Sequence, residues 1–478
     1  MISRNLSTLE GFYNSSGGMV QFGLKVQQKN RIPEILDILI NNVFGLRLRT
    51  TNTKMISNVD LKHDPHYANK TQIYSIPPNL DLIRSCQYMY DNHTKPLTEV
   101  LGTIGFNNDD IIVLNVSHLV GDGKYFTFIL DYLVSKLTNT TLFESPESMK
   151  PLNELILSSQ SNEYQLPINM ESLFTEQINS TKLKPPHIFV DEGFAHVKPL
   201  TKVENIKVDN TKPCQYISFN FPIKEFRCYN KQNDRCNGLS EVIWSSYILA
   251  GAAFNELGDG KIENIFGPDT NSSPGVTTCV DMRQYLKDKS LINWRAANLY
   301  SSVTVSAPYS KTDTSLSPSN ESLKNFEKRL RNDFINKIQS GFQYAFLNTL
   351  TPPDPTMVIP GVGLEVSSVG PYYISRRNNQ SSNVNLSKNN IFSDMFIKSS
   401  VKDVKCDPLL SYSAYSVINE IEGRKDFYTN MRYKSIIFSQ KDANMIGRGT
   451  EFAMKNLSPS MTVKEAIESI KQFQRTLL

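Results

Sequence analysis

The sequence lacks the features that would place the protein in a membrane or outside the cell. No segment approaches the run of about 20 apolar residues that is needed to span a bilayer. The first five residues lead directly into polar sequence, without the apolar core of a secretory signal. The six cysteines are scattered without a C-x-x-C spacing, as is typical of free thiols in a reducing compartment. These absences predict a cytoplasmic protein with no transmembrane segment.

An excess of charge of one sign is missing as well. The net charge is only +4 over 478 residues, and no long run of Lys and Arg occurs, so nucleic acid is not an expected partner. The hydrophobic fraction of 39% and the charged fraction of 21% are ordinary for a globular protein. The length suits two average domains or one large unit with two lobes.

Hydrophobic periodicity predicts strands and helices in both halves of the chain. Strands are predicted at 18–26, 111–117, 216–221 and 275–280, and helices at 32–44, from 125 onwards, at 239–254 and at 323–338. A last helix begins with a capping box formed by Thr462 and Glu465. The mixture indicates an α/β or α+β protein built in layers. A polar, irregular segment from 138 to about 186 reads as a crossover, which predicts lobes at 1–185 and 186–478.

One histidine stands in a context that suits chemistry. His118 follows the apolar strand 111–117 and precedes the turn Gly121-Asp122-Gly123, so its side chain would be held rigidly at a strand end. An imidazole with a pKa near neutrality can deprotonate an alcohol or an amine. The alternative is a structural histidine, which is the commoner case. The pattern His-x-x-x-Asp-Gly fixes only three residues, so by itself it indicates a poised base and no particular reaction.

Further short motifs follow a shared order along the chain. They are Arg4-Asn5-Leu6-Ser7-x-x-Glu10, the segment 237–244 that ends in Ile243-Trp244, Val280-Asp281-Met282-Arg283, Asn298, and Val366-Ser367-Ser368-Val369-Gly370. Together with the segment His118–Gly123 they resemble a superfamily of acyltransferases. It contains plant BAHD acyltransferases, fungal alcohol acetyltransferases, mycobacterial polyketide-associated acyltransferases and peptide-synthetase condensation domains. Ordered agreement over nearly the whole chain is much harder to obtain by chance than one hexapeptide.

Two departures indicate a branch. The D-F-G-W-G motif of plant BAHD enzymes is absent, and Ser117 stands where peptide-synthetase condensation domains have a second histidine. The sequence therefore looks most similar to the fungal-type alcohol acetyltransferases. This resemblance implies two similar lobes, each an open mixed sheet with helices, related to chloramphenicol acetyltransferase. A tunnel between the lobes would admit acyl-CoA from one mouth and a small alcohol or amine from the other.

The resemblance also implies roles for individual residues. His118 is the expected general base, acting in a ternary complex without an acyl-enzyme, and no metal is expected. Asp122 and Arg283 are expected to form a structural salt bridge, and Gly123 to permit a close backbone turn. Ser368 and a backbone N–H near Gly123 are candidates for stabilising the oxyanion. The donor acyl group is expected to be acetyl and the protein a monomer.

Two other functions stay open at this point. One is a condensation-type enzyme that uses carrier-protein thioesters, and the other is a catalytically degenerate binding protein of the same fold. The presence of His118, Asp122 and Arg283 together favours an enzyme over a degenerate member.

Overall fold

Two mixed β-sheets form the framework, and the space between them becomes the candidate site. In this computed structural model the described residues are 2–58, 73–107, 109–138, 152, 166–181, 215–257, 275–291, 295–309, 316–345, 364–376, 390–401, 410–433, 435 and 438–478.

The strands within these ranges are β1 (Ser3–Asn5), β2 (Met19–Val26), β3 (Leu48–Thr50), β4 (Lys54–Ser57), β5 (Ile73–Ser75), β6 (Gly102–Phe106), β7 (Ile111–Ser117), β8 (Gln215–Pro222), β9 (Tyr229–Asn230), β10 (Arg235–Cys236), β11 (Gly275–Asp281), β12 (Tyr300–Ser306), β13 (Leu364–Ser368), β14 (Tyr372–Ser375), β15 (Phe392–Ser400), β16 (Leu410–Asn419) and β17 (Arg424–Tyr433). The helices are α1 (Thr8–Ser16), α2 (Ile32–Asn42), α3 (Leu82–His93), α4 (Gly123–Thr138), α5 (Met170–Leu173), α6 (Thr175–Ser180), α7 (Leu239–Leu257), α8 (Leu323–Gln339), α9 (Phe342–Ala345), α10 (Gln440–Asn456) and α11 (Val463–Arg475).

The N-terminal sheet has the strand order β15-β2-β7-β6-β5 and is antiparallel except for the parallel pair β5 and β6. Every residue of β7 is buried. Its Val113 packs in the small core beneath α3, while Leu114 and Val116 belong to the large core that includes α2 and α4. Helices on both faces therefore explain the continuous apolar run of this strand.

The C-terminal sheet has the order β12-β11-β13-β16-β17-β8, with β14 also pairing with β16. Alternate residues of its strands, such as Val366 and Tyr412, pack in a core with helices α7, α8, α10 and α11. The residues between them, such as Glu365 and Ser411, line a cavity on the other face. Because side chains alternate along a strand, one face of this sheet is apolar and the other largely polar.

A strand from the second half of the chain completes the sheet of the first half. The strand β15 pairs antiparallel with β2, with Ile397 opposite Phe22. On its other side, the Ile397 N–H donates to the Tyr415 hydroxyl at 3.1 Å, and the Ile397 carbonyl accepts from Asn430 Nδ2 at 2.8 Å. The backbone N–H and C=O groups of β15 therefore have hydrogen-bond partners in both lobes.

The fold class predicted from the sequence, layers of helices and mixed sheets in two lobes, is confirmed. The predicted boundary at 185/186 lies outside the described residues and stays a prediction. Helix α2 ends at Asn42, two residues before the predicted end, because the chain then turns through 44–46. Within the described ranges, no helix combines the length and the apolar character that crossing a membrane would require.

Candidate active site

His118 stands where β7 ends. The chain leaves the strand at Ser117 and turns through residues 118–120 before α4 begins at Gly123. The His118 backbone is held on both sides: its N–H donates to the Gly18 carbonyl at 2.9 Å, and its carbonyl accepts from Asn298 Nδ2 at 2.7 Å. The side chain is half-buried and lines the cavity. The backbone of this residue is therefore fixed by both lobes, while its ring faces open space.

Two tyrosines enclose the His118 ring. The ring of Tyr13, on α1, is stacked on the imidazole with the centroids 4.3 Å apart and the planes 1° apart. Tyr300, at the start of β12, lies 5.4 Å from the imidazole centroid at an angle of 48°. The hydroxyls of the two tyrosines share a hydrogen bond. The imidazole thus lies against an aromatic pair that joins the two lobes.

The surroundings of His118 keep its ring neutral. Burial lowers its pKa from 6.5 to about 4, its own backbone carbonyl opposes that shift, and the positive charge of Arg432 lowers the pKa further. The Nδ1 atom is buried and has no hydrogen-bond partner among the described residues. Nε2 is therefore the nitrogen that a molecule in the cavity can reach, and it is available as a base.

Asp122 turns away from His118 and pairs with Arg283. The closest approach of the two side chains is 2.9 Å, and both are almost completely buried. Asp122 also accepts hydrogen bonds of 2.8 Å from the backbone N–H groups of Tyr125 and Leu299. Burial raises the pKa of Asp122, while the Arg283 guanidinium and these two N–H groups oppose the rise. The pair links the start of α4 to the C-terminal lobe.

Gly123 lies directly against residues of the C-terminal lobe. A Cβ atom at this position would lie 2.5 Å from Cγ2 of Val369, which is far inside van der Waals contact. The Gly123 carbonyl accepts a hydrogen bond from the Tyr372 hydroxyl at 2.7 Å. Glycine is required here for the contact between backbone and side chain, and not for an unusual backbone angle.

The cavity has a volume of about 350 Å³, within the range of small-molecule sites. Both lobes line it. The N-terminal lobe with α1, β2, β7, α4 and β15 contributes Phe12, Tyr13, Ser16, Val20, His118, Asp122, Gly123, Lys124, Ile397, Lys398, Ser399, Ser400 and Val401. The C-terminal lobe contributes Cys279, Val280, Asp281, Arg283, Tyr300, Ser302, Glu365, Ser367, Ser368, Val369, Gly370, Ser411, Ser413, Tyr415 and Arg432.

The other motif residues have different places. Ser368 is exposed and lines the cavity together with His118. Arg4 pairs with Glu10 at 2.6 Å, and Glu10 forms a capping box with Ser7 at the start of α1. Trp244 lies in the C-terminal core and donates to Thr278 Oγ1 at 3.2 Å. The motifs at 4–10 and 237–244 therefore support the elements around the cavity and do not line it.

Sequence reasoning missed several residues of this cavity. Tyr13 follows the Arg4–Glu10 motif by three residues, and Tyr300 follows Asn298 by two, so proximity to a motif was an available signal. Ser399 and Arg432 lie on β15 and β17, which no motif marks. Arg432 Nη1 donates to the Ser399 carbonyl at 3.1 Å and to its hydroxyl at 2.8 Å. Only the pairing of β15 with the N-terminal sheet brings that contact to the cavity.

Among the described ranges, no group of three or more His, Cys, Asp or Glu side chains is arranged to hold a metal ion. No protein-family model and no curated protein sequence matches the chain.

Solved structures do share its architecture. A variant of the starter condensation domain of rhizomide synthetase RzmA, in complex with C8-CoA, matches with a TM-score of 0.57 at 11% identity, over 96% of each chain. The TRI3 trichothecene 15-O-acetyltransferase from Fusarium sporotrichioides also matches with a TM-score of 0.57, at 10% identity over 95% of this chain and 94% of that one. Polyketide synthase associated protein 5 from Mycobacterium tuberculosis gives 0.50 at 12% identity, over 98% and 97%. At such low identity the likeness concerns architecture, and this chain has the two-lobed fold of that condensation domain and that acetyltransferase.

Proposed function

We propose that the protein is an acyltransferase that moves an acyl group from an acyl-CoA thioester to the hydroxyl or amine of a small molecule. The observation that carries the proposal is His118, a neutral imidazole at a strand end, facing a cavity lined by both lobes. Support comes from the fold, which is shared with a domain in complex with C8-CoA and with a 15-O-acetyltransferase.

In this proposal Nε2 of His118 acts as the general base. It accepts the proton of the acceptor hydroxyl or amine while the acceptor oxygen or nitrogen bonds to the thioester carbonyl carbon. When the carbon–sulfur bond breaks, the thiolate leaves and the imidazolium returns the proton to it. No bond to the protein forms, so the reaction needs both substrates in the cavity at once. General base catalysis of this kind contributes about 10²–10⁴-fold to the rate.

The negative charge that develops on the carbonyl oxygen needs hydrogen-bond donors. We assign this role to the Ser368 hydroxyl and the backbone N–H at Gly123, since both residues line the cavity with His118. Asp122 is occupied by Arg283 and by two backbone N–H groups. We therefore assign Asp122 a structural role, in which it holds the turn after His118 against the C-terminal lobe.

The test is acyl transfer by the purified protein with a panel of CoA thioesters and of alcohol and amine acceptors. We expect His118→Ala to lower kcat by about 10²–10⁴-fold. His93→Ala is the matched control because His93 stacks on Tyr74, away from the cavity. Full turnover by His118→Ala would remove His118 from the mechanism.

A carrier-protein thioester is the second candidate donor, favoured by the similarity to a condensation domain. Strict dependence on a carrier protein, with all CoA thioesters inert, would establish it in the same assay. Binding of a thioester without turnover would instead indicate a degenerate binding protein. Four further points stay predictions: transfer of an acetyl group in particular, the cytoplasmic location, the monomeric state and the lobe division at 185/186.

A further inference from the structure

We propose that Tyr13 is a positioning residue that sets the orientation of the His118 ring. The hydrogen bond between the Tyr13 and Tyr300 hydroxyls would make this orientation depend on contact between the two lobes. The inference rests on the proposed function of His118 as a base, and it adds the group that holds the base in place.

The first step of the argument is that another orienting partner is missing. In many sites that use a histidine base, a carboxylate accepts a hydrogen bond from the second ring nitrogen and fixes the ring. Here Nδ1 of His118 has no hydrogen-bond partner among the described residues, and the nearby carboxylate of Asp122 is paired with Arg283. Apart from the interaction of the ring with its own backbone carbonyl, contacts on the faces of the ring are left to determine its orientation.

Tyr13 supplies such a contact on one face of the ring. The two rings are parallel within 1°, and their centroids are 4.3 Å apart, which is stacking at close range. Gly18 makes room for it, because a Cβ atom there would lie 2.7 Å from Cδ1 of Tyr13. The same glycine accepts the hydrogen bond from the His118 backbone N–H. Gly18 thus leaves room for the Tyr13 ring and also binds the backbone of His118.

Tyr13 is itself held firmly by both ends of α1. At the N-terminus, Ser7 and Glu10 form a capping box, and Arg4 binds Glu10 through two hydrogen bonds of 2.7 and 2.6 Å. At the C-terminus, Gly17 adopts the left-handed conformation, and its N–H donates to the Tyr13 carbonyl at 3.0 Å. The Arg4–Glu10 motif therefore acts on the cavity indirectly, by fixing the helix that carries Tyr13.

The second lobe contributes Tyr300. Its hydroxyl shares a hydrogen bond with that of Tyr13, and its ring lies 5.4 Å from the imidazole. Burial raises the pKa of Tyr300 far above its ordinary value, so the Tyr300 phenol is neutral. Tyr13 from α1, Tyr300 from β12 and the positive charge of Arg432 from β17 lie around the His118 ring. The other ionisable groups that line the same cavity are Asp122, Lys124, Cys279, Asp281, Arg283, Glu365, Lys398 and Tyr415. Separation of the lobes would break the phenol pair and loosen the stack.

The test compares Tyr13→Leu with Tyr74→Leu, which removes a tyrosine from another Tyr–His stack, in the full-length protein. NMR titration of the His118 ring without substrates measures its pKa, and the acid limb of kcat/KM reports the same group in the free enzyme. Loss of the stack admits water to the ring, so we expect Tyr13→Leu to move the titration from about 4 towards 6.5 and to lower kcat by about 10²-fold. Tyr74→Leu should leave the titration of His118 unchanged, because Tyr74 stacks on His93 and does not line the cavity.

A double-mutant cycle covers the case in which Tyr13→Leu does not fold. Tyr13→Phe and Tyr300→Phe keep both rings and remove the same hydrogen bond. Each should lower kcat by about 2- to 10-fold with KM unchanged, and the double variant should be no worse than either single one. Additive losses, or a folded Tyr13→Leu with unchanged titration, would overturn the proposal. The NMR titration needs no turnover, so it also distinguishes failure of this inference from failure of the proposed acyl transfer.

Discussion

Asp122 shows why a residue beside a catalytic base need not act on it. Its position four residues after His118 resembles that of an orienting carboxylate, yet its side chain is buried against Arg283. Removing one member of a buried pair leaves the other charge without a partner, and this typically costs about 3–5 kcal/mol. Reduced activity of an Asp122 variant would therefore report misfolding as readily as chemistry.

We predict that Asp122→Ala lowers the free energy of unfolding by about 3–5 kcal/mol. Asp281 is the matched control, because it binds the same Arg283 at 3.0 Å but its side chain is 37% exposed, against 5% for Asp122. Asp281→Ala should cost about 1 kcal/mol or less, since solvent screens the charge. Chemical denaturation measures both values, and equal losses would contradict the structural role of Asp122.

His118 also makes stability depend on pH. Its pKa is about 4 in the folded protein and 6.5 ordinarily, so between these values the unfolded chain binds the proton and the folded protein does not. Stability rises with pH wherever the unfolded state binds more protons. We therefore expect the free energy of unfolding to fall as the pH is lowered from 6.5 to 4. His118→Gln should flatten this slope in denaturation experiments, and an unchanged slope would refute the lowered pKa.

At the scale of elements, the segment from β7 to α4 follows closely from the sequence. The run 111–117 predicted a buried strand with the observed ends, and the capping box at Thr462 and Glu465 is present at the start of α11. The strands β15, β16 and β17 were not predicted. In β16 the run Leu410-Ser411-Tyr412-Ser413-Ala414 does alternate between apolar core positions and polar cavity positions, so a strand signal was present there and was missed.

The contact between α4 and the turn after β13 gives a prediction about Gly123. In Gly123→Ala the new Cβ would meet Val369, and overpacking of this kind costs about 1–3 kcal/mol. Adding Val369→Ala to the Gly123→Ala variant should recover most of the lost stability, as measured by thermal unfolding. Gly370→Ala is the control, since no atom lies within 4 Å of a Cβ built there. A lack of rescue by Val369→Ala would show that the clash is not the cause.

At the scale of the whole molecule, β15 makes the two lobes one folding unit. It pairs with β2 through its backbone, and it receives side chains of the C-terminal sheet, including Tyr415 and Asn430, on its other side. Neither sheet can lose the strand without exposing polar backbone groups. The lobes are therefore expected to be coupled in stability.

We predict a single unfolding transition. Far-UV circular dichroism reports both lobes, whereas fluorescence from Trp244, measured in a Trp294→Phe background, reports the C-terminal core. The two curves should coincide. Asn430→Ala, which removes the hydrogen bond to the Ile397 carbonyl, should shift both curves together to lower denaturant concentration. Separate transitions would show that the lobes unfold independently.

The sequence by itself determined the layered α/β class, the strand end that carries His118 and the glycine-flanked turn after it. These features depend on local periodicity and on short motifs, which act over a few residues. Only the tertiary structure decided which residues surround the base. Tyr13, Tyr300 and Arg432 are remote from His118 in the chain, and strand pairing brings them together. The hexapeptide His118–Gly123 contains the histidine, but the packing of both lobes keeps its ring neutral and oriented, because burial and stacking are properties of the folded chain.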